Sequence, residues 1–181
     1  MQIFAVSGSL RAESTNTLVL KAVAELIADS SIHFYQYGDL GLLPHFNPDL
    51  DNEHPPEMVV QLRSALKLSD ALLVCSPEYI HGIPGSLKNA FDWLASSGEL
   101  DGMPVGIINA TPSHDGATFA QQALQEVLTV LSNNIVPEAV IRIGAVKTKI
   151  DPHGKITDPE LTKKLRTALQ SLTEAKFLRS C

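Results

Sequence analysis

The chain has 181 residues, 44% of them hydrophobic and 19% charged, and a formal net charge of −6. This composition is typical of a globular protein, and we expect one domain over residues 1–181 with a substantial core. The negative charge argues against nucleic acid as a partner, because no basic face offsets phosphate repulsion. No apolar run approaches the roughly 20 residues of a membrane span, and the N-terminus does not resemble a signal peptide. We therefore expect a cytoplasmic protein with no membrane or nucleic-acid partner.

Apolar runs and helical stripes alternate along the chain. The pattern predicts strands at residues 2–7, 32–37, 70–75, 103–110 and 135–143, the last interrupted by Pro137. It predicts helices from residue 16 or 17 to 28, at 57–68, from Pro84 to a stop at Gly98, at 118–131 and at 159–177. Residues 38–56 hold four prolines and two glycines, which indicates a long loop with at most one turn of helix. Such a loop is usually functional or part of an interface.

Five strands that alternate with five helices predict an α/β fold with a parallel sheet and right-handed crossovers. The best match is a flavodoxin-like three-layer sandwich with strand order 2-1-3-4-5 and helices on both faces. In that order the switch point, where ligands bind, lies between the first and third strands. The loops that follow these strands are residues 8–16, the first loop, and 76–82, the second loop. They are also the most chemically marked segments of the sequence.

The first loop, GSLRAESTN, precedes the N-terminus of a helix and is suited to an anion. Arg11 offers a positively charged guanidinium group with several N–H donors. Four short polar side chains can also donate to phosphate oxygens: Ser9, Ser14, Thr15 and Asn16. The alternative is that Ser14 or Asn16 caps the helix while Arg11 is a solvated loop charge. Neither the P-loop motif nor the three-glycine dinucleotide motif is present. A mononucleotide phosphate is therefore favoured over a pyrophosphate.

The second loop, SPEYIHG, is suited to a flat ring. Its backbone N–H groups can meet the polar edge of a heterocycle, Tyr79 or Pro77 can pack on the ring face, and Gly82 permits close approach. The alternative is an ordinary turn with an exposed aromatic side chain. Glu78 and His81 suggest a metal pair only weakly, and no further ligand has matching spacing. The two cysteines of the chain form neither a disulfide framework nor a metal pair.

Together the two loops resemble the NADPH-dependent FMN reductase family, which includes quinone, azo-dye and chromate reductases. The resemblance rests on Gly8-Ser9-Leu10-Arg11 with Ser14 and Asn16, and on Ser76-Pro77-Glu78-Tyr79 with Gly82, Pro84-Gly85, Leu87-Lys88-Asn89-Ala90 and Asp92-Trp93. It implies that the FMN phosphate is held by Ser9, Arg11, Ser14 and Asn16, with Thr15 beside them. It implies that the isoalloxazine is lined by Pro77, Glu78, Tyr79, Ile80 and Gly82.

One segment departs from the family pattern. The family usually has a glycine-rich third loop after the fourth strand, whereas residues 109–116, NATPSHDG, contain a single glycine. Thr111 and Ser113 are candidates for contact with the ribityl chain. We expect His114 to be an exposed loop residue rather than a proton donor. Substrate selectivity is expected to differ from close family patterns because of this loop.

The resemblance implies an FMN-dependent oxidoreductase that takes hydride from NADPH or NADH onto the flavin. A small-molecule acceptor (a quinone, free flavin, an azo compound or a metal oxyanion) is then reduced. The flavin carries the chemistry, so no catalytic side chain and no metal are expected. The family commonly forms homodimers or homotetramers. Two alternatives are a flavodoxin-type electron carrier without intrinsic NAD(P)H oxidation, and a structural α/β protein with an empty switch point.

Overall fold

The computed structural model describes residues 1–27, 31–114 and 116–175. Strands and helices alternate as the sequence predicts. The strands are β1 (Gln2–Ser7), β2 (His33–Tyr37), β3 (Ala71–Ser76), β4 (Val105–Ala110) and β5 (Ile135–Ile143). The helices are α1 (Thr15–Glu25), α2 (Glu57–Lys67), α3 (Gly85–Leu94), α4 (Thr118–Leu131) and α5 (Pro159–Glu174).

The strands form one parallel sheet in the order β2-β1-β3-β4-β5, which confirms the predicted flavodoxin-like topology. Side chains that alternate along each strand build two cores, one on each face. Ile3 and Leu73 face the core that contains α1 and α5. Phe4 and Leu72 face the core that contains residues of α2, α3 and α4. Since α1 and α3 lie on opposite faces, the chain leaves β1 and β3 in opposite directions and opens a crevice between them.

Two helix starts differ by a residue or two from the predicted positions. α1 begins at Thr15, because the Oγ of Ser14 accepts a hydrogen bond from the Thr17 amide and caps the helix. Pro84 is the residue before α3 rather than its first residue, with φ −56° and ψ 139°. Its ring fixes φ without costing a helical hydrogen bond, so it fits this position also. The predicted ends of the first and last helices, at residues 28 and 177, lie outside the described residues.

The long segment 38–56 is more ordered than predicted. It contains two short 3-10 helices, Asp39–Leu42 and Pro48–Leu50, instead of at most one turn. Side chains of α3 bind its backbone: the Pro44 carbonyl accepts from the Trp93 indole at 2.8 Å and from the Asn89 amide at 3.0 Å. Side chains of a neighbouring helix therefore provide hydrogen-bond partners for the backbone of this segment. No local sequence pattern can predict such partners.

β5 is an edge strand, which explains how it accommodates Pro137 without loss of the sheet. The pairing of β4 with β5 shifts register between Val105 and Ile107, so the strand bends near its proline. Among the described residues, no helix has the length and apolar character needed to cross a bilayer.

Candidate active site

The first and second loops meet at the crevice between β1 and β3. Gly8 donates from its amide to the Cys75 carbonyl at 2.9 Å. A Cβ at Gly8 would lie 2.6 Å from the Ser76 Oγ and 3.0 Å from the Leu87 side chain. Any side chain at position 8 would therefore force Ser76 and Leu87 to shift. Above this contact lies a cavity of about 410 Å³, lined by Gly8, Leu10, Arg11, Tyr79, Pro84, Gly85 and Ser86.

Two of the predicted phosphate ligands have buried side chains that turn into the protein. Ser14 is buried and caps α1. Asn16 is also buried: its amide donates to the Ala110 carbonyl at 3.2 Å, and its Oδ1 lies 3.3 Å from both the Ala110 amide and the Cys75 Sγ. Buried amides need partners on both ends, so Asn16 joins α1 to β3 and β4. Ser14 occupies the helix-cap position of the alternative interpretation, and the phosphate role of Ser14 and Asn16 stays a prediction.

The other predicted residues of the first loop are available to a ligand. Ser9 is partly exposed, and its Oγ accepts from the Arg11 amide at 3.4 Å. Arg11 is exposed and forms no ion pair with the rest of the described chain. Thr15 is partly exposed in the first turn of α1, where backbone N–H groups and the helix dipole attract anions. This set of donors fits a single phosphate group.

The second loop ends in a tight turn with unusual backbone angles. Tyr79 and Gly82 exchange two backbone hydrogen bonds of 3.0 Å. Between them Ile80 has φ 50° and His81 has φ 54°, both in the left-handed region, as in a type I′ turn. A β-branched residue rarely adopts this conformation, and the Ile80 side chain is fully exposed. Ile80 therefore forms the tip of the loop.

The second loop is fastened to the first turn of α4 at two points. The residue before α4, Ala117, has φ 58° and offers no side-chain cap. Instead the Glu78 carboxylate accepts from the Ala120 amide at 3.0 Å. The His81 and Phe119 rings stack with centroids 4.4 Å apart and planes inclined by 22°. Glu78 thus caps α4 from a distant part of the chain. The sequence signal for this role was that no capping residue directly precedes position 118.

The third loop is held by the chain after β5. The Thr111 backbone amide donates to the Ile143 carbonyl at 3.0 Å, and the Thr111 carbonyl accepts from the Val146 amide at 3.1 Å. A Cβ at Gly144 would lie 2.5 Å from the His114 carbonyl oxygen. The packing of this loop therefore requires a glycine outside the loop, at position 144 in the segment that it packs against. Thr111 is partly exposed, and Ser113 and His114 are exposed, as expected for His114.

Asn109 and Cys75 are two polar residues buried at the ends of the central strands. The Asn109 side chain donates to the Ser76 carbonyl at 2.9 Å, which joins the ends of β3 and β4. Sequence reasoning missed this role, although a polar residue at the end of an apolar strand was the available signal. Burial raises the pKa of the Cys75 thiol, so it remains protonated and is not a nucleophile. Within the described residues, no three potential metal ligands cluster together.

The fold and the site define a doubly wound α/β protein with a ligand-sized cavity at the switch point of its sheet. The hydrogen-bond donors of the first loop fit a phosphate. The cavity lined by Arg11 and Tyr79 lies beside the second loop, whose backbone can contact a ring. The residues present thus fit a phosphate joined to a flat ring.

Comparisons with known proteins identify the family. The sequence model of NADPH-dependent FMN reductases matches residues 1–147. A quinone reductase of Pseudomonas putida is 31% identical over 180 residues, which cover 96% of this chain and 92% of that protein. A 2-hydroxy-1,4-benzoquinone reductase of a Burkholderia species is 32% identical over 170 residues, 92% of this chain and 91% of that protein. The structure of a flavoenzyme NAD(P)H:(acceptor) oxidoreductase from Paracoccus denitrificans superimposes with a TM-score of 0.80 at 32% identity, covering 96% and 95% of the two chains.

The chain belongs to the NADPH-dependent FMN reductase family. It is an oxidoreductase that uses FMN as cofactor and NAD(P)H as electron donor. These relatives favour the reductase over the electron-carrier alternative.

Proposed function

We propose that this protein reduces small quinones with electrons from NADPH or NADH, through FMN bound between the first and second loops. The observation that carries the proposal is the cavity of about 410 Å³ that is lined both by Arg11 of the first loop and by Tyr79 of the second loop. The names of the relatives from Pseudomonas putida and Burkholderia support quinones as acceptors. FMN, when bound, supplies a centre that accepts hydride and passes electrons on.

The first loop is proposed to hold the phosphate. Arg11 supplies a positive charge, and the hydroxyls of Ser9 and Thr15 supply neutral donors beside the N-terminus of α1. Ser14 and Asn16 are proposed to support the loop indirectly, because the Ser14 side chain is bound to α1 and the Asn16 side chain is bound to the end of β4. Their contribution is to fix the backbone of the loop.

The second and third loops are proposed to orient the rest of the cofactor. Backbone groups of the second loop meet the edge of the ring, and its wall is formed by Pro77, Glu78, Tyr79, Ile80 and Gly82. Glu78 takes part indirectly, because its carboxylate is bound to α4. Thr111 and Ser113 are proposed to contact the ribityl chain, since the backbone of the third loop is tied to the segment after β5.

An anaerobic half-reaction experiment tests the proposed function. FMN-loaded protein is titrated with NADPH or NADH, and the flavin absorbance is followed. 1,4-Benzoquinone is then added, with free flavin, an azo dye and chromate as comparison acceptors. We expect NAD(P)H to bleach the flavin and the quinone to restore its colour faster than the other acceptors. A flavin that NAD(P)H does not bleach, or one that the quinone does not reoxidise, would contradict the proposal.

We also propose a homodimer or homotetramer. Large apolar side chains are exposed at and beside the cavity: Leu10 and Tyr79 line it, Ile80 forms the loop tip, and Phe119 stacks on His81. Exposed apolar side chains that cluster in this way are typical of surfaces covered by another molecule. Sedimentation of a dimer or tetramer supports this assembly, whereas a monomer at all concentrations contradicts it.

We propose that the protein acts in the cytoplasm. The support is its use of NAD(P)H, a coenzyme that cytoplasmic metabolism regenerates. Fractionation of cells that express the tagged protein tests this. Recovery in a compartment outside the cytoplasm would contradict it.

A further inference from the structure

Two buried asparagines join the carboxyl ends of the strands at the switch point. Asn16 ties α1 to Ala110 at the end of β4. Asn109, one residue earlier in β4, donates from its side-chain amide to the Ser76 carbonyl at 2.9 Å. Ser76 is the last residue of β3 and the first residue of the second loop. Asn109 therefore holds the point at which the second loop leaves the sheet.

Asn109 is an unusual residue for the interior of this sheet. It is fully buried, and its side-chain oxygen Oδ1 has no hydrogen-bond partner among the described residues. A buried acceptor without a partner destabilises the folded state. The neighbours on β4, Ile107 and Ile108, are apolar, so packing alone favours an apolar residue at position 109. A residue that departs from this rule beside a candidate site points to a functional role.

The segment that follows Ser76 is held at both of its ends. Ser76 packs against the first loop, since a Cβ at Gly8 would lie 2.6 Å from the Ser76 Oγ. Pro77 has a fixed φ and no N–H group, and the Tyr79 amide is bound within the turn of the loop. Glu78 thus carries the one amide between Ser76 and Tyr79. Within the described part of the chain, that amide has no hydrogen-bond partner.

An unpaired amide at the start of the second loop is suited to the polar edge of a flavin ring. Reduction places negative charge on that edge, so an N–H group aimed at it binds the reduced ring more tightly than the oxidised ring. The strength of such a hydrogen bond depends on its distance and angle. Since only Pro77 separates Glu78 from Ser76, a shift of the Ser76 carbonyl also moves the Glu78 amide.

We propose that Asn109 is a positioning residue that raises the reduction potential of bound FMN. Its hydrogen bond fixes the Ser76 carbonyl, and the fixed carbonyl sets the position of the Glu78 amide against the ring. Asn109 acts through Ser76, because a fully buried side chain does not reach the cofactor. The assignment rests on the proposed function, since it concerns FMN bound between the first and second loops.

The midpoint potential of bound FMN tests the assignment. Asn109→Leu removes the hydrogen bond and keeps the branched shape of the side chain. FMN-loaded protein is reduced anaerobically beside a dye of known potential, with neither NAD(P)H nor a quinone present. We expect a lower potential in the variant. The dissociation constant of reduced FMN should rise about fivefold relative to that of oxidised FMN, the effect of one hydrogen bond, which equals about 20 mV for a two-electron couple.

Ser132→Ala is the matched control. Ser132 is also buried, and its hydroxyl donates to the Met103 carbonyl, just before the opposite end of β4. This variant loses a buried hydrogen bond of the same kind, so its stability should fall while the potential stays at the wild-type value. If Asn109→Leu does not fold, Asn109→Ala removes the same hydrogen bond without adding volume.

Arg11→Ala provides a second comparison. The phosphate of FMN keeps its charge when the ring is reduced. Loss of Arg11 should therefore weaken the binding of oxidised and reduced FMN equally and leave the potential unchanged. Asn109→Leu should show the opposite pattern, with the affinity for oxidised FMN close to that of the wild type and the potential lowered.

Three results would overturn the assignment. The potential of Asn109→Leu equals that of the wild type, or Ser132→Ala shifts the potential by as much, or Asn109→Leu weakens the binding of oxidised and reduced FMN equally. The measurement involves neither NAD(P)H nor a quinone, so failure here is distinct from failure of the proposed function. A lowered potential in Asn109→Leu, together with a wild type that NAD(P)H does not reduce, would contradict only the proposed function.

Discussion

The Glu78 carboxylate accepts from the Ala120 amide at 3.0 Å and caps a helix whose own sequence supplies no cap. The cap comes from the second loop, so the loop and the start of α4 are positioned together. A lost N-cap costs about 1 kcal/mol. We therefore expect Glu78→Ala to lower the free energy of unfolding by about that amount and Glu78→Gln, which keeps an acceptor oxygen, by less.

Urea unfolding measures the effect of Glu78→Ala, and hydrogen exchange locates it. Exchange should accelerate at the amides of residues 118–121 and remain unchanged in α5. Glu25→Ala, an exposed carboxylate at the end of α1, is the control and should leave both measurements unchanged. Equal protection of the α4 amides in Glu78→Ala and wild type would show that the carboxylate is not a cap.

The turn at the tip of the second loop stores backbone strain. Ile80 has φ 50°, and the left-handed conformation costs a non-glycine residue roughly 1–2 kcal/mol. Asparagine tolerates this conformation. We therefore expect Ile80→Asn to raise the free energy of unfolding by about 1 kcal/mol, as measured by urea denaturation.

The control for Ile80→Asn is Val130→Asn. Val130 is also β-branched and 85% exposed, but it lies inside α4, where its backbone is helical. Its replacement should change stability little, since valine and asparagine have similar helix propensities. An equal gain in both variants would mean that backbone strain at position 80 is not the cause.

The sequence was sufficient to predict the strand order and the two loops at the switch point. Apolar alternation and helix signals are local, and the topology follows from them by general rules. The parts that could not be predicted depend on partners distant in sequence. Glu78 meets Ala120 only because the second loop folds over α4. Asn16 turns inward because Ala110 offers it both a donor and an acceptor 94 residues away.

The third loop depends on a glycine outside its own sequence. In Gly144→Ala the new Cβ would meet the His114 carbonyl at 2.5 Å, so the backbone must move. We expect a loss of about 1–3 kcal/mol in the free energy of unfolding, typical of overpacking, together with weaker FMN binding. Gly38→Ala is the control, because nothing lies within 4 Å of a Cβ there. Equal stability of the two variants would contradict the close contact.

The long segment 38–56 is tied to α2 by an ion pair between Asp51 and Arg63 that depends on pH. Hydrogen bonds from Ser96 and Arg63 hold the pKa of Asp51 below its ordinary value of 3.8. A lowered pKa means that the folded state favours the charged carboxylate. Its stabilisation is complete well above 3.8 and is lost as the pH falls through the lower, folded-state value.

Asp51→Asn tests this dependence. At neutral pH the variant should unfold at a lower temperature than the wild type, and the difference should shrink once the pH drops below the ordinary value of 3.8. Asp101→Asn, an exposed residue, is the control and should show no such convergence. A difference in melting temperature that is constant down to strongly acidic pH would contradict the role of Asp51.

The affinity for FMN tests most directly whether the first loop holds the cofactor phosphate. Apoprotein is titrated with FMN and the quenching of flavin fluorescence is measured. A hydrogen bond to a charged group contributes about 1.5–3 kcal/mol, so Arg11→Ala should raise the dissociation constant by roughly ten- to a hundredfold. Arg166→Ala, on α5, where the side chain reaches the C-terminal end of α1 rather than its N-terminus, should bind FMN as the wild type does. If Arg11→Ala instead purifies with a full complement of FMN and binds it with unchanged affinity, the phosphate lies elsewhere.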